Sequence, residues 1–180
     1  MFEYLAAVMQ QEDLKLQPSQ EVTIVLSIYF HDAIYNPQSA SNEEDSEKLW
    51  QEFAKQVNTI PREIVHEVAK FIFATKAHKV SDDGGGDQDD DSKLLAFFLD
   101  LDLAVLAKQP DAYMSYAALI RKEYHFVPAE TYCAKRAEIL QDMVHQKRLY
   151  ASPVFAPWET RARNNLRNEV ALLKQGTIPA

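Results

Sequence analysis

At 180 residues, with 47% apolar and 11% aromatic side chains, the chain is long enough for one sizeable core and reads as a single domain over residues 1–180. Its 19 basic and 27 acidic residues leave a formal charge of −8, which excludes a general nucleic-acid binder, because such affinity rests on Lys and Arg neutralising phosphates. The lone Cys133 excludes an internal disulfide, and no run of about eighteen apolar residues is present, so the expectation is a protein of a reducing compartment, cytoplasmic or nuclear, that does not span a membrane.

Only four glycines occur, three of them adjacent at 84–86, so helices rather than hairpins must dominate. Phe2, Leu5, Ala6 and Met9 fall at helical spacing and predict a first short helix that breaks near Pro18. Residues 21–35 are apolar on nearly every side, and their length favours a buried helix over a strand. Ser41-Asn42-Glu43-Glu44 has the form of a capping box. The helix it opens carries the stripe Leu49, Trp50, Phe53, Ala54 and Val57, and Pro61 opens the next, with Ile64, Val65, Val68, Phe71 and Ile72. Residues 81–92, SDDGGGDQDDDS, hold six aspartates and no apolar side chain, which predicts a disordered acidic surface loop. Strong helix returns over 93–107, followed by three more helical stretches near 112–124, 128–148 and 157–174. The fold class is therefore all-α, with about eight helices and short connections.

Two polar intrusions interrupt this apolar pattern. His31-Asp32 ends the most hydrophobic helix, where a charge is unfavourable unless paired or metal-bound; taken alone, the dipeptide also reads as a helix cap facing water. Asp100 and Asp102 interrupt FFLDLDLAVL, a segment too apolar to tolerate carboxylates without partners. A buried hydrogen bond, or a salt bridge to Arg121, Arg136 or Arg163, would satisfy them, as would a divalent ion shared with an imidazole.

The strings FHDAIYNP, NEEDS, TKAH, FFLDLDLAVL, IRKEY and ETRARNNL, in this order, resemble the small metal-dependent phosphohydrolase branch of the HD superfamily over about residues 1–175. The resemblance implies an HD-domain-like helical bundle that holds a divalent metal ion, with Mn, Mg, Fe, Zn, Co and Ni all candidates. Carried over, His31 and Asp32 are the paired ligands, and the later carboxylate is Asp102 with Asp100 as the alternative. It also brings in Tyr35, Asn42, Glu43, Thr75, Lys76 and His78. Glu43 could orient a water or a liganding histidine, while Lys76 and His78 could face a phosphate; both would equally suit the negative end of their own helix. Arg121, Glu123 and Tyr124, and likewise Glu159, Arg163 and Asn165, read as polar networks that hold the C-terminal helices, and His66, His125 and His145 as surface residues.

The family's N-terminal Tyr-His segment has no counterpart here, since the first histidine is His31. The expected activity is hydrolysis of a small phosphate ester, with a nucleotide among the candidates, and homo-oligomerisation is a further expectation. The alternative is an inactive HD-fold protein serving as a binding or structural module, or a shortened gene product.

Overall fold

The computed structural model describes residues 1–10, 15–76 and 89–179. Among these it contains eight α-helices and no strand. They are α1 (Phe2–Met9), α2 (Pro18–Phe30), α3 (Asn42–Val57), α4 (Arg62–Thr75), α5 (Asp90–Leu103), α6 (Pro110–Glu123), α7 (Ala129–His145) and α8 (Glu159–Lys174). Two 3-10 turns, Ala104–Ala107 and Pro153–Trp158, complete the order. Among the described residues no helix is long and apolar enough to cross a membrane. The fold is all-α, as the scarcity of glycine and the helical spacing of apolar residues require. The chain divides into two compact units, Met1–Leu99 and Asp100–Ala180, with the boundary inside α5.

In the first unit α2, α3 and α4 pack on one another. Trp50, Ala54, Val68, Ala69 and Ile72 form a buried cluster, flanked by Leu26, Phe30 and Ile64. The Trp50 indole donates to the Val65 carbonyl at 3.0 Å, which satisfies the one polar atom this side chain takes into the core. Phe71 stacks on Phe98 with ring centroids 5.3 Å apart. The predicted α3 stripe splits: Trp50 and Ala54 are buried, whereas Leu49, Phe53 and Val57 remain 38–39% exposed. On α2, Val22, Val25 and Tyr29 are exposed too, so this helix is buried on one side only.

α3 starts where the sequence indicates, but not by a capping box. Ser41 Oγ donates to Asp45 Oδ2 at 2.9 Å, and the Glu44 carboxylate is taken by Lys76. The Lys76 ammonium brings a full positive charge to this carboxylate, which lowers its pKa from the ordinary value. The helix ends on Asn58, which adopts the left-handed conformation at φ 53°.

Of the acidic segment 81–92, residues 81–88 lie outside the described residues. The remainder corrects the expected loop: α5 already begins at Asp90, and Asp89 Oδ1 accepts the Ser92 amide at 2.7 Å. Asp89 thus caps one exposed amide, and Asp90 and Asp91 lie in the first turn at the positive end of the helix, which favours one more helical turn at its start than apolar periodicity alone suggests.

In the second unit α7 packs along α8, and the 104–107 turn also lies against α8. Asn165, 3% exposed, donates to both the Leu106 and Lys108 carbonyls at 2.8 Å. Arg161 Nε adds a bond to the Ala107 carbonyl at 2.5 Å. α8 closes on Gly176 at φ +73°, with the Thr177 amide donating to the Leu172 carbonyl at 3.0 Å.

Candidate functional site

His31 caps the C-terminus of α2 and is 8% exposed. Its Nδ1 lies 3.0 Å from the Ile28 carbonyl, an acceptor only, so Nδ1 carries a proton and Nε2 is the nitrogen turned away from the backbone. Nε2 stands 3.4 Å from Asp32 Oδ2, and the ring meets Phe98 edge-on at 5.9 Å. The two side chains differ in setting: His31 is buried, whereas the Asp32 side chain is 60% exposed. Two donors each about 2.1 Å from one ion and 3.4 Å apart would subtend roughly 110°, so the pair fits two adjacent positions of a metal shell. A carbonyl bond behind the imidazole is the usual means of fixing the tautomer of a liganding histidine.

Beyond the pair, the turn after α2 is tied to the start of α3. Ser46 Oγ accepts the Ile34 amide at 3.0 Å and donates to the Ile34 carbonyl at 3.2 Å. Asn42 Oδ1 accepts the Asn36 amide, and its Nδ2 donates to the Asn36 carbonyl, both at 2.9 Å. Asn42, brought in by the resemblance, therefore shapes this turn. Tyr35 is 48% exposed. Thr75 turns its hydroxyl back onto the Ile72 carbonyl at 2.7 Å.

Lys76 caps α4 and is surrounded by acceptors: Glu44 Oε1 at 2.5 Å, the Ala40 carbonyl at 3.2 Å and Glu43 Oε2 at 3.9 Å. The hydrogen bond between them lowers the Glu44 carboxyl and raises the Lys76 ammonium from their ordinary values. Lys76 and Glu43 thus lie close together. His78 lies outside the described residues.

In the second unit, Asp100 is 3% exposed and has an evident structural task. Its Oδ1 accepts the Ala151 amide at 2.9 Å and its Oδ2 the Ser152 amide at 2.5 Å. Glu159 accepts the two preceding amides, from Leu149 at 3.0 Å and Tyr150 at 3.2 Å. Two carboxylates therefore hold four consecutive backbone donors between α7 and α8. Burial pushes the Asp100 carboxyl up to about 7, against the opposing effect of the two amides. Backbone amides, rather than any of the three candidate arginines, satisfy it. Asp102, two residues on and so on roughly the opposite side of α5, is half-buried, and its charge is felt by the Tyr116 hydroxyl, which burial pushes up to about 12.

The expected C-terminal networks form in part: Arg163 meets Glu159, whereas Asn165 turns to the 104–107 turn, Arg121 bonds backbone carbonyls, and Glu123 is exposed. Arg163 donates from Nε to Glu159 at 2.6 Å and to the Val144 and Gln146 carbonyls at 2.5 and 2.8 Å. Arg121 donates to the Tyr124 and Val127 carbonyls and lies 4.8 Å from the centre of the Tyr132 ring. His66, His125 and His145 are exposed.

Sequence reasoning missed the most deeply buried charge among the described residues, Glu169. It is 0% exposed and accepts Arg136 Nε at 3.0 Å and Tyr113 Oη at 2.5 Å. Burial raises the Tyr113 hydroxyl, and the adjacent carboxylate raises it further. Its signal was position: Glu169 sits between Leu166, Val170 and Leu173 on the apolar stripe of α8, where a carboxylate requires a partner.

Among the described residues no group of three or more His, Cys, Asp or Glu side chains is assembled to hold a metal ion. No protein-family model, no curated protein and no solved structure matches this chain.

Proposed function

We propose that the chain is a metal-dependent phosphohydrolase of the HD type, acting on a small phosphate ester, with nucleotides among the candidates. His31 and Asp32 are the paired ligands of a divalent ion. Asp102 is the later carboxylate, because both oxygens of Asp100 are already engaged by backbone amides. The observation that carries the reading is the imidazole geometry: Nδ1 is anchored on Ile28, while Nε2 and Asp32 Oδ2 stand 3.4 Å apart. A bound divalent ion would supply polarisation of a phosphoryl oxygen and a lowered pKa for a bound water. The protein's own contribution is to hold His31 in the liganding tautomer and to offer charge to the phosphate. Lys76, on leaving Glu44, and His78 are the residues for that task, with Glu43 orienting the attacking water.

The test is thermal unfolding with and without Mn²⁺, Co²⁺ or Mg²⁺ for the parent protein, His31→Ala and Asp32→Ala, beside hydrolysis of p-nitrophenyl phosphate and nucleoside monophosphates. A native-state ligand stabilises by about 2.7 kcal/mol at a hundredfold excess over Kd, so the parent protein should shift and the variants should not. An unshifted parent protein with no turnover would count against the reading.

A non-catalytic helical binding module is the second reading. Two observations favour it: the described residues hold no assembled three-ligand cluster, and Lys76 is engaged by carboxylates rather than exposed toward an anion.

A further inference from the structure

The first unit leaves one face of its helices apolar and uncovered. On α2, Val22, Val25 and Tyr29 are 36–65% exposed, while Thr23, Ile24, Ser27 and Ile28 on the far side are buried. Pro18, Val22, Val25 and Tyr29 follow one another at spacings of four, three and four, the alternation with which a helix presents a seam to another helix. At about 100° per residue these four fall within about 60° of one another around α2. Leu26 and then Phe30 carry the surface round the helix toward α3, and no charged side chain of α2 falls in that sector. Phe30 meets Phe53 of α3 with ring centroids 5.1 Å apart, which joins the seam to the exposed stripe Leu49, Phe53 and Val57. Phe2 of α1 lies against Tyr29 at 4.9 Å and extends the face further.

Area and charge identify what covers it. The exposed parts of the α2 seam, the α3 stripe and Phe2 present about 500 Å², taking a whole aromatic side chain as about 200 Å² and an aliphatic one as somewhat less. A standard interface takes about 800 Å² from each partner, and in homodimers about 65% of it is apolar, so one half of a stable dimer requires about 520 Å². The charge pattern favours a second copy over a basic partner. The chain carries −8 overall, and Glu21 and Glu52, both exposed, stand at the rims of the face rather than within it. Two copies repel one another in most orientations, and an uncharged face is where they meet without burying like charges. A basic partner would find no acid in the middle of this face to select it.

We propose that two copies of the chain pair through this face as a twofold dimer, with α2 antiparallel to α2 of the second copy. In such an interface residue i meets j and j meets i. An axis passing between Thr23 and Ile24 sets Val22 against Val25 of the second copy and Pro18 against its Tyr29, so a single register seats the whole seam. The metal reading plays no part in this, since none of these residues is a proposed ligand. Because apolar contact holds together two molecules of like charge, salt should strengthen the dimer by screening their repulsion.

Sedimentation equilibrium of the full chain tests the proposal. Between about 1 and 100 µM the chain should pass from monomer to dimer, since interfaces of standard size reach micromolar affinity or better. The dimer fraction should rise as NaCl is raised from about 0.05 to about 0.5 M. Val25→Glu and Val22→Lys, each at an exposed position, should weaken the dimer at least tenfold with the helical circular dichroism unchanged, because each sets a charge against an apolar partner. An equimolar mixture of these two variants should associate more strongly than either by itself, since the two new charges then face each other across the axis. Leu119→Glu and Ile139→Glu, at exposed apolar positions of the second unit, should leave association within about twofold. The proposal is overturned if the chain stays monomeric over the whole range, which would leave another protein to cover the face, or if added salt dissociates the dimer. It is equally overturned if a second-unit variant weakens the dimer as much as Val25→Glu does, or if the mixture associates no better than its components.

Discussion

Replacing Glu169 by alanine probes the most deeply buried charge among the described residues. The carboxylate is 0% exposed and serves two partners, Arg136 at 3.0 Å and Tyr113 at 2.5 Å. Its removal leaves the Arg136 guanidinium, whose side chain is only 16% exposed, without its counter-charge, and breaking a buried pair in this way costs about 3–5 kcal/mol. The Tyr113 hydroxyl, in a residue 1% exposed, loses its acceptor as well, a further cost of about 1–3 kcal/mol. The two losses share one carboxylate and are not additive, so a total near 4–5 kcal/mol is expected. For a chain of this size each kcal/mol lowers Tm by about 2–4 °C, which gives a drop of roughly 10–15 °C. Urea unfolding followed by circular dichroism measures the free energy, and tryptophan fluorescence provides a second probe of the same transition. Combining Glu169→Leu with Arg136→Met should recover much of the loss, because replacing both ends of a buried pair is far milder than removing one. A Glu169→Ala loss below about 1 kcal/mol, or a double variant no better than the single one, would refute the reasoning.

Other outcomes follow from the same geometry. In chelator, Asp100 ionises near its ordinary value of 3.8 when the chain is unfolded and near 7 in the fold, so over that window the native state holds the extra proton. Its contribution to stability therefore falls as pH rises from about 4 to 7 and levels above; unfolding free energies across this range should show that slope in the parent protein and lack it in Asp100→Asn. Asn165→Ala removes the two bonds to the Leu106 and Lys108 carbonyls and should cost about 2–3 kcal/mol in urea unfolding, with a cost under about 0.5 kcal/mol counting against their importance. Trp50→Phe deletes the bond to the Val65 carbonyl inside the α2–α4 core and should cost about 1–3 kcal/mol, whereas the exposed change Phe53→Thr should cost well under half as much.

Helix content was legible from the sequence because it depends on local spacing. The positions of α3, α4 and α6 to α8 follow from apolar residues three and four apart and from prolines at or just before the starts of α4, α6 and α7, none of which needs a distant partner to be read. The candidate pair His31-Asp32 was legible for a related reason, since a polar dipeptide at the end of an apolar helix stands out in one dimension. The different surroundings of Asp100 and Asp102 were not. The two carboxylates are alike in sequence, and what separates them is that the amides of Ala151 and Ser152, some fifty residues away, converge on Asp100. The same holds for Ser41-Asn42-Glu43-Glu44, a local capping box by pattern, where Lys76 of another helix takes the glutamate. It holds too for Glu169, whose stripe position indicated burial without naming Arg136 and Tyr113 as its partners. Sequence fixes where turns of helix can form, because backbone hydrogen bonds and apolar periodicity are local. Tertiary structure alone decides which charged group each buried carboxylate meets, because that depends on contacts between segments far apart in the chain.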